Sequence, residues 1–293
     1  MQAGEKAQLF INTKGKIMWI SKYFVYFVLF SCMGWIYEST FCTIKTGKWQ
    51  NRGFLYGPMC PIYGVGAASI TFIVDQLEVH EVSELAWWQI FLIAFFGSIV
   101  LEYVTSYVLE KLFHAYWWDY SDVPLNIHGR VCFPASCGFG VAGLIVVYGI
   151  APMTKNMTSW ISPLWMEFLS LLFMAVVAAD ATLTVSALTH FEHNVVALET
   201  ALNQHMDLFV NSVQEKTQAA SVALADERAR FSKENLERSI REMDWSHRVA
   251  LKRVQGFRTA KKDTAKRVYS REMVFDSMKK YLANARKQKE EQK

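Results

Sequence analysis

Five apolar runs within the first 190 residues constrain this chain more than any other feature. They extend from Ile17 to about Phe41, from about Pro58 to Val74, from about Leu85 to Leu109, from about Val131 to Ala151 and from about Trp160 to Leu188. A helix crosses about 30 Å of hydrocarbon with about 20 predominantly apolar residues, so each run is close to the length of a membrane span. Trp19, Trp87, Trp88, Trp117, Trp118 and Trp160 fall near their ends, as aromatic side chains do at the headgroup level. Charge divides the same way. Residues 1–190 hold 10 Lys+Arg and 12 Asp+Glu, whereas residues 191–293 hold 21 and 15. The first stretch is too apolar for a water-facing surface and the second too charged for a bilayer. The fold expected is all-α: a polytopic membrane helix bundle of about five transmembrane helices over 17–190, after a short N-terminal segment 1–16. A charged helical tail over 191–293 follows it.

This division excludes a secreted disulfide scaffold, a disordered chain and a single soluble domain. The five cysteines, Cys32, Cys42, Cys60, Cys132 and Cys137, are odd in number and irregular in spacing. They read as small apolar residues, not as a metal site or a disulfide framework. The first apolar run is too long for the core of a cleavable signal. Five spans place the two ends of the chain on opposite sides. Lys and Arg then divide evenly between the two faces, so orientation rests on the charged tail, which is expected in the cytoplasm, and on the acidic loop from Asp75 to Glu84, expected outside.

The bundle contains a loose internal repeat, over about 17–74 and 85–151. Gly34-Trp35-Ile36-Tyr37-Glu38 closes the first span, and Gly97-Ser98-Ile99-Val100-Leu101-Glu102 lies in the third. Asn51-Arg52-Gly53 and Asn126-Ile127-His128-Gly129-Arg130 follow, each leading into a helix of small residues, Gly57–Gly66 and Cys132–Gly140. Two spans separate the copies, so they share an orientation, as parallel repeats in transporters do.

Ionisable residues at the centre of a span cost about 2.5–3.5 kcal/mol on insertion scales, and they are read as functional by default. Glu38, Glu102 and Asp180 are the acids in question, and Arg52 and Arg130 lie at the starts of the second and fourth spans. All five converge on one depth whichever way the bundle faces. Glu38 with Arg52 and Glu102 with Arg130 are the expected pairs, since Arg meets a carboxylate bidentately. Such pairs serve either a pathway or simple stapling of loops to helices. Asp180 has no partner nearby in sequence and is expected to face the bundle interior. Asp119, within the aromatic run His114–Asp122, completes the candidate binding residues, at a ligand mouth or an interfacial anchor. No catalytic residue, metal site or cofactor is expected.

The strings Gly34-Trp35-Ile36-Tyr37-Glu38, Asn51–Gly64, Glu110-Lys111-Leu112-Phe113-His114 and Trp117-Trp118-Asp119-Tyr120-Ser121 resemble a bacterial membrane-protein family. It is the CmpB-like family titled "putative ABC-transporter permease, type IV". The resemblance covers about residues 18–155. It implies a transporter permease of the bacterial plasma membrane and brings no catalytic residues with it.

The tail carries apolar residues at helical spacing, from Val195 through Leu198, Leu202, Met206, Phe209 and Val213, and again from Leu224 to Trp245. One helix is expected to about Gln255 and a second from about Arg258 to Arg286, as a coiled coil with a second copy or as an internal hairpin. The basic run from Arg248 to Arg271 suits anionic lipid headgroups better than nucleic acid.

Three functions are open to such a chain. The first is a permease-like transport component. The sequence has no phosphate-binding loop of the Gly-x-x-x-x-Gly-Lys-Ser/Thr type, so ATP-driven transport requires a separate ATPase subunit. The second is an intramembrane enzyme, with Arg52 and Arg130 holding the phosphate of a lipid-type substrate and Glu38, Glu102 or Asp119 acting as acid or base. The third is a non-catalytic membrane scaffold or sensor whose tail is the effector.

Overall fold

The computed structural model describes residues 2–47, 51–79, 85–214, 245, 248–249, 253–257 and 271–291. Helix α1 (Gln2–Thr46) is continuous, with its apolar part from Trp19 to Ile44. It ends at Gly47, whose φ of 66° is the left-handed conformation that terminates helices. The chain returns through an irregular segment, 51–60, into α2 (Pro61–Val79). Pro61 suits a first helical position, where a missing N–H costs nothing. Helix α3 (Trp87–Phe113) leads to strand β1 (Ala115–Tyr116) and then to a hairpin of β2 (Asn126–Ile127) and β3 (Val131–Cys132). Helix α4 (Phe133–Ile145), a π turn (Val146–Ile150) and α5 (Ala151–Thr158) follow without a break. The π turn has a local cause: Pro152 has no N–H to give, and the Ala151 N–H reaches back to Val146 O. Helix α6 (Pro163–Gln214) has 52 residues. Strand β4 (Gly256–Phe257) and helix α7 (Arg271–Glu291) complete the described chain.

Among the described residues four helices are long and apolar enough to cross a membrane: Trp19–Ile44, Trp87–Phe113, Phe133–Thr158 and Pro163–His190. Their apolar side chains are widely exposed, as on α6 at Leu164, Phe168, Leu171, Val176 and Leu183. The other expected span, Pro58–Val74, forms α2 from Pro61 on, and α2 is not among these four. Its helix also starts late. The Cys60 N–H donates to Ser31 O at 3.0 Å. Ser31 stands 12 residues past Trp19 and 13 before Ile44, midway along the apolar part of α1. The C-terminal half of the apolar part of α1 is therefore accompanied by irregular chain, 51–60, and only its N-terminal half by helix.

The described chain forms two compact units. The first comprises Met1–Thr105 and Asp119–Thr184. Its α1 and α2 run antiparallel in close contact: a Cβ on Gly64 would lie 2.6 Å from Phe27 O, and one on Gly34 would lie 2.6 Å from Cγ of Tyr63. Tyr26, Phe30 and Ala151 form one buried cluster with Ala67, Ala68, Val146 and Ile150 packed against it. Val28, Leu55 and Met59 form another, covered by Phe173, Val177 and Ala181 of α6. In the hairpin, Ile127 pairs with Val131 around His128 and Gly129, both at positive φ, and the Arg130 N–H donates to Ile127 O at 3.0 Å. This is a type I′ turn, whose twist matches that of the strands.

The second unit comprises Ser106–Trp118 and Val185–Lys293. Strand β1 pairs antiparallel with β4, Ala115 opposite Phe257 and Tyr116 opposite Gly256. Phe113, Ala115, Trp117, Val254, Phe257, Val274, Phe275 and Met278 are buried. The Phe257 and Phe275 rings meet edge to face with centroids 4.8 Å apart. The Lys279 ammonium lies over the Phe275 ring and donates to Gln255 O at 3.0 Å. One expectation changes here. Trp117, read as an interfacial anchor, is a core residue, because strand pairing turns its segment inward. The last helical residue before strand β4 is Arg253, close to the helix end expected at about Gln255. Residues 215–244, most of the basic run and the start expected for the last helix near Arg258 lie outside the described residues.

Candidate functional site

The polar residues of the first unit gather on three acids. Glu38 lies on α1 six residues before Ile44, about 9 Å along the helix axis. Its Oε1 is 3.6 Å from Arg52 Nε, and its Oε2 accepts the Tyr63 hydroxyl at 2.5 Å. The Cys42 thiol donates to Oε1 at 3.8 Å. The irregular segment carrying Arg52 is itself held by α1: the Arg52 N–H donates to Ser39 Oγ at 3.2 Å, and Trp35 Nε1 donates to Asn51 Oδ1 at 2.7 Å. A non-helical segment at membrane depth must have its backbone groups satisfied by protein. Serines on α1 meet part of that need.

Asp180 meets another part. Its Oδ1 accepts the Tyr56 N–H at 2.8 Å, and its Oδ2 accepts the Gly57 N–H at 2.7 Å. Thr184 Oγ1 adds a third donor at 3.2 Å. Asp180 is half-buried in α6 and faces the irregular segment. A Cβ on Gly57 would stand 2.8 Å from Asp180 Oδ2, so the glycine is what lets the backbone approach the carboxylate.

Glu102 is buried within α3 and accepts the Tyr120 hydroxyl at 3.3 Å through Oε1. Its Oε2 is buried with no hydrogen-bond partner among the described residues. The expected pairing with Arg130 does not form. The Arg130 guanidinium carbon lies 5.7 Å from the centre of the Tyr103 ring, and Tyr103 in turn meets His128 Nδ1 at 3.3 Å. The tight turn at His128-Gly129 precedes Arg130, and its contact with the ring face is of the cation–π kind. Tyr120 is the residue that reaches Glu102. Burial pushes its phenol well above the ordinary value, the charge of Glu102 adds to that, and Cys132 and Glu38 act in the same sense. The phenol therefore stays a donor at neutral pH. Asp119 is exposed and accepts the Ser121 N–H at 2.9 Å and the Ser121 hydroxyl at 2.5 Å. It closes a turn of the loop.

A fourth acid, Asp75, was read from sequence as part of an outer loop. It sits on α2, largely buried, where it accepts the Tyr23 hydroxyl at 2.6 Å, pairs with Lys155 of α5 and lies 3.9 Å from Lys22. It ties α1, α2 and α5 together some 15 residues along α1 from Glu38. The structure thus brings Arg52 to Glu38, leaves Arg130 away from Glu102 and gives Asp180 backbone partners. Tyr63 and Tyr120 were missed as site residues, although both lie inside the strings that sequence inspection singled out. Among the described residues no group of His, Cys, Asp and Glu could hold a metal ion.

Four long apolar helices with exposed apolar flanks, and acids held inside them, define a helical membrane protein. The chain belongs to the family described as "Putative ABC-transporter type IV", whose profile matches residues 25–185. No curated protein and no solved structure matches it.

Proposed function

We propose that this chain is the membrane-embedded component of a transport system, a multi-pass plasma-membrane permease with its tail in the cytoplasm. One observation carries the reading: in each half of the bundle a glutamate within an apolar helix meets a tyrosine hydroxyl, Glu38 with Tyr63 and Glu102 with Tyr120. Buried ionisable groups in spans mark pathways by default, and a parallel repeat of the kind transporters use supports the same view. In this reading α2 and the irregular segment before it make the fifth crossing. Glu38, Arg52, Glu102 and Arg130 border the pathway, while Asp180 and Asp119 hold the segments that shape it. ATP hydrolysis, where it drives transport, belongs to a separate ATPase subunit. The amphipathic tail serves contact with a second copy of the chain.

The test is proton entry into vesicles. Purified protein is reconstituted in liposomes that enclose a pH-sensitive dye, and a potassium diffusion potential is imposed. Wild-type vesicles are expected to acidify at least 10-fold faster than protein-free ones, and Glu38→Gln is expected to abolish the difference. Equal rates with and without protein overturn the reading.

A further inference from the structure

Glu102 differs from the other acids of the bundle in what faces it. Glu38 has Arg52 and Tyr63, Asp75 has Lys22 and Lys155, and Asp180 has two backbone N–H groups. Glu102 is 4% exposed and has one long hydrogen bond, from Tyr120 at 3.3 Å. Its second oxygen is buried without a hydrogen-bond partner, and among the described residues no cation stands within ion-pair distance. The groups around it are all acidic, phenolic or turned elsewhere. From α1 comes Glu38, within electrostatic reach and already held by Arg52 and Tyr63 of α2. From the loop comes Tyr120, with Cys132 of β3 beside it. Arg130 lies on Tyr103, which also meets His128.

A carboxylate in such surroundings has neither a counter-ion nor enough donors to replace its water. The physical resolution is that it neutralises. We propose that Glu102 is a proton-binding site, a neutral carboxylic acid at neutral pH that exchanges its proton with water on the Tyr120 side of the bundle. Tyr120 keeps the carbonyl oxygen oriented, and Oε2 carries the proton. The ligand of the polar cluster is then a proton, and Glu102 is its carrier. This deepens the transport reading and rests on the cluster lying inside the membrane.

Hydrophobic carbodiimides distinguish the two states. The O–H of a protonated carboxyl adds across one C=N bond of the reagent: oxygen bonds to the central carbon, and the proton goes to nitrogen. Acyl transfer to nitrogen then leaves a stable N-acylurea, and nothing departs, so the adduct carries the whole reagent mass. The full-length protein in native membranes is treated with dicyclohexylcarbodiimide at neutral pH, and peptides are mapped by mass spectrometry. The adduct is expected on Glu102 at least 10-fold above Glu38, and it is expected to decline as the pH is raised. A second measurement needs no reagent access: infrared spectra of wild type and Glu102→Gln are compared for a protonated-carboxyl C=O band that shifts in heavy water. Labelling of Glu102 no greater than Glu38, or the same carboxyl band in both proteins, overturns the proposal. Neither readout depends on flux, so a failed vesicle experiment and a failed labelling experiment reject different claims.

Discussion

Asp180 Oδ2 accepts the backbone N–H of Gly57 at 2.7 Å across 123 positions of sequence. With the Tyr56 N–H on the other oxygen, a carboxylate in α6 carries the irregular entry to α2. On sequence grounds asparagine is the conservative replacement, because it keeps the shape. The geometry reverses that, since an amide has one acceptor and would turn its NH2 toward an N–H. Asp180→Asn and Asp180→Ala are both expected to lower the unfolding free energy by about 1–3 kcal/mol, the cost of a buried donor left unpaired. The melting temperature in detergent reports it, and a wild-type value for Asp180→Asn contradicts this account.

The two central helices approach through Gly64. A methyl group there meets Phe27 O at 2.6 Å and Phe27 Cδ2 at 2.9 Å, so Gly64→Ala forces α1 and α2 apart. Overpacking of this kind costs about 1–3 kcal/mol. Gly97 on α3 has nothing within 4 Å of its Cβ position, and Gly97→Ala should be neutral or stabilising by about 0.5–1 kcal/mol. Thermal unfolding of the two variants side by side checks both signs; a drop for Gly97→Ala equal to that for Gly64→Ala removes the packing explanation.

Asp75 and Lys155 link α2 to α5, with side chains 13% and 35% exposed. A double-mutant cycle with Asp75→Asn and Lys155→Met should return a coupling of about 1 kcal/mol, discounted for solvent at the lysine. Additive losses would falsify the pairing.

In the second unit Phe275, 1% exposed, packs edge to face on Phe257. Phe275→Ala leaves a cavity worth about 3 kcal/mol. Limited proteolysis should cut near α7 faster in the variant than in wild type. Unchanged protection there is the adverse outcome.

For the tail, Lys289→Cys in a background where the native cysteines are serine gives a single thiol near the end of α7. An impermeant maleimide should leave it unlabelled in intact cells and label it after lysis. Ready labelling of intact cells reverses the orientation.

Much of the architecture was legible in the chain. Long apolar runs became long helices because hydrocarbon length and backbone satisfaction leave an apolar segment few alternatives. The run at 58–74 also became a helix, but only from Pro61. Cys60 and Pro61 open the helix only at mid-depth of α1, while Asp75 and Glu78 lie on its last turns. The acids were also legible as a set, because charge within an apolar run stands out against its neighbours. Their partners were not. Arg130 and Arg52 look equivalent by position, yet one meets the Tyr103 ring and the other the Glu38 carboxylate.

The sequence by itself determined that this is a helical membrane protein, which of its runs are long and apolar, and which acids they carry with them. Those outcomes depend on composition summed over a helix length, which is local. Tertiary structure decided what each acid meets. It set Tyr63 on Glu38, Tyr120 on Glu102, the Tyr56 and Gly57 backbone on Asp180 and Lys155 on Asp75. It also paired Ala115–Tyr116 with Gly256–Phe257, about 140 residues on. A hydrogen bond is won or lost within a fraction of an ångström, and that precision comes from the packing of helices distant in sequence.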